Sequence, residues 1–208
     1  MAEPPPRILL FGGTFDPPHR AHVDLPVRVA EHLKCQRILY IPTGTSPFKT
    51  DAPPTPKRHR LAMLRLAIRY IPNAEISTVE LDRGGVSYFI DTLGALRERF
   101  VDDAQLYFLI GCDQALDFHK WKDWRGILDL ATPAVMLRPP WTRNSFRAAL
   151  EEQYDAEDAA RWMGWIAPAP KLDISSTDIR GRLASGGGST ELLDEEVARY
   201  IAEHGLYA

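Results

Sequence analysis

The chain of 208 residues has little cysteine and no long apolar run. Its two cysteines, Cys35 and Cys112, provide no disulfide framework, which favours a reducing compartment. No apolar run approaches the roughly 18–20 residues that cross a bilayer. The amino terminus, Met-Ala-Glu-Pro-Pro-Pro, carries no charged-then-apolar signal pattern. We therefore expect a cytoplasmic protein with no membrane partner.

Excess positive charge and the standard phosphate-binding loops are also absent. The formal net charge of −3 argues against general affinity for nucleic acid. The sequence contains neither Gly-x-x-x-x-Gly-Lys-Ser/Thr nor Gly-x-Gly-x-x-Gly. An anionic substrate would therefore have to meet local positive charge on another kind of loop.

Apolar runs alternate with helical patterns along the chain. The apolar runs predict strands over residues 7–11, 37–41, 75–79, 105–110 and 133–137, with a weaker sixth over 164–167. The helical patterns cover residues 21–33, 57–71, 88–100, 124–130, 145–162 (an acidic surface helix) and 194–204. This alternation predicts right-handed βαβ units, and hence an α/β fold with a Rossmann-like parallel sheet and helices on both faces. The length favours one domain, residues 1–208, whose carboxyl-terminal helical portion begins at about residue 171.

The most informative stretch joins the first predicted strand to the first predicted helix, and it reads Gly12-Gly13-Thr14-Phe15-Asp16-Pro17-Pro18-His19-Arg20-Ala21-His22. A glycine turn lets backbone N–H groups approach a phosphate, and the helix start adds partial positive charge. His19 and His22 stand three apart, so both project from one face of the first turn. The pair indicates phosphoryl or nucleotidyl chemistry. The open alternatives are two solvated residues, or half of a zinc site that lacks a third ligand nearby.

This stretch resembles the opening signature of the HxGH nucleotidyltransferase superfamily, with Ala21 where that family usually has glycine. About 150 residues downstream, Ile174-Ser175-Ser176-Thr177-Asp178-Ile179-Arg180 resembles the family's ISSTxIR element. Read without the family, Ser175–Thr177 predict a helix N-cap with Asp178 in the first turn. The resemblance implies a three-layer α/β/α nucleotidyltransferase fold. It also implies that ATP is bound by Gly12, Gly13, Thr14, Phe15, Ser175, Ser176 and Thr177.

The same resemblance implies four catalytic residues, His19, His22, Lys49 and Arg180. The histidines would donate hydrogen bonds to the α- and β-phosphates, while Lys49 and Arg180 neutralise the departing pyrophosphate. Lys49 lies on the loop after the second predicted strand, where the family commonly has Pro-His-Lys and this chain has Phe48 in place of the histidine. Mg²⁺ would accompany ATP, bound mostly by substrate oxygens and water, with no protein ligand assigned.

Asp113, in Gly111-Cys112-Asp113, follows the fourth predicted strand. A carboxylate there could accept both ribose hydroxyls of ATP, and the family's Gly-x-Asp implies that role. From the residues alone, Asp113 could equally cap the short helix that follows. The two roles are compatible.

Two aromatic segments bear on the acceptor substrate, residues 87–93 and residues 119–124. Aromatics at helical spacing are more often core residues than ligand contacts. The segments resemble the SYTxDTL and W-x-x-W elements of bacterial nicotinate-nucleotide adenylyltransferases, which implies nicotinate mononucleotide as the acceptor. Trp121 would stack on the pyridine ring and Tyr88 would form a pocket wall, with Phe89 (usually threonine in the family) and Lys122 beside them.

The resemblance extends to the carboxyl terminus, where residues 197–207 are similar to the family's closing helix and Leu-Tyr end. Alternatives are a sister transferase that uses nicotinamide mononucleotide or phosphopantetheine, and a non-catalytic nucleotide-binding regulator on the same fold. A homo-oligomer is compatible with the sequence, which does not give the oligomeric state.

Overall fold

The structure is a computed structural model that describes residues 4–45, 54–100, 104–169, 172, 174–187 and 190–208. The strands within these ranges are β1 (Arg7–Gly13), β2 (Arg37–Pro42), β3 (Ala74–Ile76), β4 (Gln105–Gly111), β5 (Thr132–Met136) and β6 (Ile166–Ala167). The α-helices are α1 (Arg20–Leu33), α2 (Lys57–Ile68), α3 (Val79–Arg83), α4 (Phe89–Arg99), α5 (Cys112–Leu116), α6 (Trp124–Leu130), α7 (Arg143–Gln153), α8 (Ala156–Gly164), α9 (Ser176–Ala184) and α10 (Glu195–Glu203). Short 3₁₀ helices cover Phe118–Lys120 and Thr190–Leu192. None of these described helices has the length and apolar character needed to cross a membrane.

The described strands form one parallel sheet in the order β3-β2-β1-β4-β5-β6. The chain moves outward from β1 to β3 and then returns to place β4 on the other side of β1. In doubly wound sheets of this order, ligands bind beyond the carboxyl ends of the strands where the order reverses. Here that point lies between β1 and β4, so the predicted Rossmann-like parallel sheet is confirmed.

Side chains alternate along the strands and bury two separate layers against helices. In β1, Ile8 and Leu10 join a cluster that contains Leu93 of α4 and Ile127 of α6. On the opposite face, β1 and β2 pack against α1 and α2 through Leu9, Tyr40, Val29 and Leu64. The sheet therefore has helices on both faces, which confirms the predicted three layers.

A third apolar cluster attaches the carboxyl-terminal helices to α2. It contains Met63 of α2, Ile179 of α9, and Val197 and Ile201 of α10, all at most 4% exposed. Val197, Tyr200 and Ile201 form the apolar face of α10, with Tyr200 partly buried against the same cluster. The attachment places the start of α9 next to the loop that follows β1.

Two sequence predictions of secondary structure are wrong. The third strand ends at Ile76, and Val79 begins helix α3 instead of ending the strand. The single surface helix predicted over residues 145–162 is two helices, because Asp155 caps α8 with a side-chain oxygen 2.9 Å from the Asp158 N–H. Phe146 and Trp162 of these helices are fully buried, so the pair contributes to the core.

Candidate active site

The predicted glycine turn is wrong: Gly12 and Gly13 are the last residues of β1, and the chain turns at Phe15, whose ring packs where a side chain on Gly13 would lie. An ideal Cβ on Gly13 would lie 3.0 Å from two ring atoms of Phe15. Phe15 has φ of +52°, a left-handed conformation that costs a residue with a Cβ roughly 1–2 kcal/mol. Its ring is 1% exposed and packs against Phe11 and Tyr40, with centroid separations of 5.6 and 6.0 Å. Burial of the ring offsets the backbone cost and sets the path towards His19.

His19 and His22 stack on each other where α1 begins. Their ring centroids are 3.7 Å apart with an interplanar angle of 26°, so the prediction that both project from one face is confirmed. His19 is the N-cap residue, and its backbone N–H donates to His22 Nδ1 at 3.2 Å. Since Nδ1 of His22 accepts, the neutral ring keeps its proton on Nε2. His22 therefore offers an Nε2–H donor to a ligand.

Both imidazoles are neutral at pH 7. Burial lowers the pKa of His19 to about 4. Burial, and then the positive charge of a protonated His19, lowers the pKa of His22 well below its ordinary value. Within the described part of the chain, His19 Nδ1 is buried without a hydrogen-bond partner. An orphaned polar atom at the start of a helix, where N–H groups are also free, fits a site that binds a polar ligand.

The second motif meets the first at this loop. Ser175 Oγ accepts the N–H groups of Thr177 and Asp178, which confirms the predicted N-cap of α9. Ser176 Oγ donates to the Pro17 carbonyl at 3.0 Å. The Arg180 guanidinium donates to the Asp16 carbonyl at 2.7 Å and to Thr177 Oγ1 at 3.3 Å. The structure thus brings together two segments that lie far apart in the sequence.

Arg60 is a residue of this site that the sequence did not reveal. It is 3% exposed in α2, and its Nε donates to the Thr55 carbonyl at 3.0 Å. A terminal guanidinium nitrogen of Arg60 donates to the Thr14 carbonyl at 2.9 Å and to the Thr43 carbonyl at 3.0 Å. In the sequence, Lys57-Arg58-His59-Arg60 is typical of a solvated helix start, so no signal separates Arg60 from its neighbours.

Asp113 lies at the carboxyl edge of the sheet but does not cap the helix. The N-cap of α5 is Gly111, whose N–H donates to Gln114 Oε1 at 3.2 Å, so the capping role is wrong. The Asp113 carboxylate instead folds back over Gly111, where a Cβ would lie 2.6 Å from Oδ1. Its other oxygen pairs with the exposed Arg138 at 2.7 Å. The ribose-binding role of Asp113 stays a prediction.

The predicted acceptor residues, Tyr88, Phe89, Trp121 and Lys122, lie together and are called the acceptor cluster below. Trp121 meets Phe89 edge to face, with ring centroids 5.9 Å apart. The Lys122 ammonium lies 4.7 Å from the centre of the Tyr88 ring. Phe89 also packs on the core residue Phe108 at 5.2 Å, so the core interpretation holds for its side chain. Trp121 is half-buried, and Tyr88 and Lys122 are exposed.

Lys49 and Phe48 lie outside the described residues. The flanking segments are described, and they reach the same edge of the sheet. Thr43 follows β2 and its N–H donates to the Gly13 carbonyl at 2.9 Å. Ser87, directly before the acceptor cluster, donates its N–H to the Thr45 carbonyl at 2.9 Å.

The doubly wound sheet, with a histidine-bearing loop at its switch point, defines a nucleotide-binding α/β protein. Residues 10–182 match the cytidylyltransferase-like family. A protein of Thermomicrobium roseum, named a probable nicotinate-nucleotide adenylyltransferase, is 38% identical over 97% of this chain and 91% of its own length. A relative of the same name from Bordetella avium is 37% identical over 97% of this chain and 98% of its own. The chain therefore belongs to the cytidylyltransferase-like family and groups there with bacterial nicotinate-nucleotide adenylyltransferases.

A solved structure gives the same fold. Plasmodium falciparum nicotinic acid mononucleotide adenylyltransferase complexed with NaAD superimposes with a TM-score of 0.71 and covers 97% of each chain. Its sequence is 19% identical to this one. At that identity the likeness concerns the fold alone.

Proposed function

We propose that this protein transfers AMP from ATP to nicotinate mononucleotide, giving deamido-NAD and pyrophosphate. The observation that carries the proposal is the stacked His19–His22 pair, with Arg180 bonded to the loop beside it and the acceptor cluster at the same edge of the sheet. The relatives that match nearly the full chain carry the name of this activity, which supports the same assignment.

The donor phosphates of ATP would occupy the start of α1. The neutral rings of His19 and His22 each offer one N–H, and the helix start adds free backbone donors and partial positive charge. Arg180, planar and always charged, suits the departing pyrophosphate, with Lys49 as its proposed second cation. Gly12, Gly13, Thr14 and Phe15 would line the phosphates, and Asp113 would accept the ribose hydroxyls.

The reaction needs no covalent nucleophile on the protein. A phosphate oxygen of the acceptor attacks the α-phosphorus of ATP in line, the bond from that phosphorus to the bridging oxygen breaks, and pyrophosphate leaves with the electron pair. Catalysis then rests on positioning and on stabilising charge at the five-coordinate phosphorus. His19 and His22 supply hydrogen bonds at the place where that charge develops.

ATP would enter as its Mg²⁺ complex. Across the described ranges, no three His, Cys, Asp or Glu side chains are grouped to hold a metal ion. Mg²⁺ commonly keeps several waters and binds substrate phosphates, which suits a site of this kind. We assign Mg²⁺ to the ATP substrate on this preference for phosphate oxygens and water.

The acceptor cluster would bind the pyridine ring of nicotinate mononucleotide. Trp121 would stack on the ring, and Tyr88 would form a wall. Because the Phe89 side chain packs on Phe108, a contact from this position would come from its backbone N–H at the start of α4. The Lys122 ammonium is available to the negative charge of the acceptor, and it also pairs with Asp91 at 3.2 Å.

We also propose that residues 1–208 form a single nucleotidyltransferase domain, with 171–208 as its carboxyl-terminal helical portion. The burial of α9 and α10 against α2 supports this assignment. A cytoplasmic location is proposed on the free thiols of Cys35 and Cys112.

The test measures pyrophosphate release from ATP and Mg²⁺ with three acceptors in parallel: nicotinate mononucleotide, nicotinamide mononucleotide and phosphopantetheine. We expect the highest kcat/KM with nicotinate mononucleotide, and deamido-NAD as the product identified by chromatography. A higher kcat/KM with another acceptor would reassign the substrate. No release with any of the three, from protein that binds ATP, would favour the non-catalytic regulator.

A further inference from the structure

Residues 14–19, between β1 and α1, are called the histidine loop below, and the buried carboxylate of Asp16 connects this loop to two other parts of the chain. Asp16 is 6% exposed and lies three residues before His19. Its Oδ2 accepts the Thr55 N–H at 3.0 Å, and its Oδ1 accepts the Tyr207 hydroxyl at 2.5 Å. A buried carboxylate requires such partners, because an unpaired charge in the interior is costly.

Tyr207 follows α10 and reaches the loop from the carboxyl-terminal side. Its backbone has φ of +65°, a left-handed conformation that is unfavourable for tyrosine. Burial, and then the hydrogen bond to Asp16, raises the pKa of Tyr207 above its ordinary value, so the phenol keeps its proton and stays a donor. A short hydrogen bond from a hydroxyl to a carboxylate is among the stronger kinds in proteins.

Arg60 completes the network around Asp16. It donates to the carbonyls of Thr14, Thr43 and Thr55, so one guanidinium holds the histidine loop and both chain segments beside it. The positive charge of Arg60 also interacts favourably with the Asp16 carboxylate. The Asp16 carboxylate is thus held by the Thr55 N–H, just before α2, and by the Tyr207 hydroxyl.

The hydroxyl of Tyr207 is not needed to attach α10. That helix buries Val197 and Ile201 against α2, and Asp194 at its start pairs with Arg69 at 2.7 Å. The hydroxyl therefore acts on the loop, whose next residues lead into His19. Since other residues attach α10 to α2, the contact of the Tyr207 hydroxyl with the loop indicates a role for this hydroxyl beyond packing.

We propose that Tyr207 is a positioning residue: through its hydrogen bond to Asp16 it fixes the chain that leads into His19, and so sets the geometry of the donor-phosphate site. The kinetic consequence rests on the proposed adenylyl transfer. A misplacement of about 1 Å at a reacting site can cost a hundredfold in rate, so loss of one bond in the loop is expected to reduce turnover.

The test compares Tyr207→Phe with the matched control Tyr200→Phe. Tyr200 lies on α10 and its hydroxyl bonds to His59 Nδ1 at 2.9 Å, so each variant removes one hydroxyl from the same end of the chain. We expect Tyr207→Phe to lower kcat about tenfold, the size of a lost hydrogen bond to a charged group, with KM for ATP changed less than kcat. Tyr200→Phe should leave kcat unchanged. Equal kcat in the two variants would overturn the proposal.

A double-variant comparison tests the route through Asp16. If the hydroxyl acts through that carboxylate, Asp16→Asn combined with Tyr207→Phe should lose no more kcat than Asp16→Asn alone. Multiplied losses in the combined variant would mean that Tyr207 acts by another route, and would overturn the proposed one.

Amide hydrogen exchange gives a readout that does not need the reaction. We expect faster exchange at Thr14, Phe15, Asp16 and His19 in Tyr207→Phe, and wild-type exchange there in Tyr200→Phe. This result would support the positioning role even if the wild type showed no adenylyl transfer. The absence of transfer would contradict the proposed function only. Unchanged exchange in the loop, or faster exchange throughout the chain, would overturn the positioning role.

Discussion

The histidine loop and the acceptor cluster lie at the same edge of the sheet but are built in opposite ways. The loop is buried, and its backbone carbonyls at Thr14, Asp16 and Pro17 are each bound by a side chain from another segment. The acceptor cluster is half-exposed and held by ring contacts and an exposed ion pair. The region assigned to the reaction is thus fixed by directional bonds, whereas the region assigned to specificity is held by less directional contacts.

This difference predicts where substitutions have large effects. Removal of one partner of a buried hydrogen bond leaves the other donor or acceptor unsatisfied, whereas exposed ion pairs contribute little to stability. Four substitutions or conditions test the contrast, in decreasing order of expected effect.

His22→Ala should have the largest effect. Loss of an N–H donor that acts mainly on the transition state is expected to lower kcat by roughly 10²–10³, with KM for ATP little changed. The control is His59→Ala, measured by the same steady-state kinetics, because the His59 imidazole contacts Tyr200 and not the histidine loop. Near-normal kcat in His22→Ala would remove this residue from the mechanism.

Acidification should destabilise the protein through His19. The pKa of His19 is held at about 4 by burial, while the unfolded chain has the ordinary value of about 6.5. Above pH 6.5 the ring is neutral in the folded and the unfolded state, and its full contribution to the free energy of unfolding is present. Between pH 6.5 and about pH 4, only the unfolded state binds the proton. The free energy of unfolding should therefore fall by about 2 kcal/mol from this group between pH 7.5 and pH 5.

Urea denaturation at the two pH values measures this loss, with His19→Gln as the comparison. The variant lacks the titrating ring, so its stability should fall less on acidification. Parallel losses in wild type and variant would show that His19 titrates alike in the folded and unfolded states.

Trp121→Ala should act on the acceptor alone. Aromatic stacking on a base is worth about 1–3 kcal/mol, so we expect KM for nicotinate mononucleotide to rise roughly tenfold while KM for ATP is retained. Trp124→Ala is the control, because that ring packs on Tyr154 with a centroid distance of 6.1 Å. Equal effects on both substrates would argue against a stacking role.

Lys122→Gln should have the smallest effect. Its ammonium is exposed and shared with Asp91, so we expect at most a few-fold rise in KM for nicotinate mononucleotide, reduced further at high salt. Lys120→Gln is matched, since Lys120 pairs with Asp117 at 2.6 Å on the neighbouring turn. A similar rise in both variants would trace the effect to general surface charge.

Much of the fold could be predicted because each strand is a short apolar run followed by a helical pattern. The N-cap at Ser175 and the shared face of His19 and His22 follow from local spacing, which one sequence displays directly. The break at Asp155 does not follow from the helical pattern, because a local side-chain cap, Asp155 on the Asp158 N–H, starts a second helix there.

The network around Asp16 could not be read from the sequence. Its partners, Thr55, Arg60 and Tyr207, come from segments whose meeting depends on the packing of α2 and α10. Thr55 and Arg60 do not differ locally from ordinary surface residues, and the Leu-Tyr end that includes Tyr207 does not indicate which residue Tyr207 contacts. The capping role of Asp113 is wrong because α5 begins at Cys112, which makes Gly111 the N-cap residue and places Asp113 inside the first turn.

The close fit of Gly13 and Phe15 has an evolutionary consequence. Because the ring fills the space that a methyl group at position 13 would need, a side chain can enter there only if the neighbouring ring shrinks or moves. The two positions should therefore covary as a pair among descendants of this chain. A lineage that acquires alanine at 13 is expected to carry a smaller side chain at 15 or a shifted ring there.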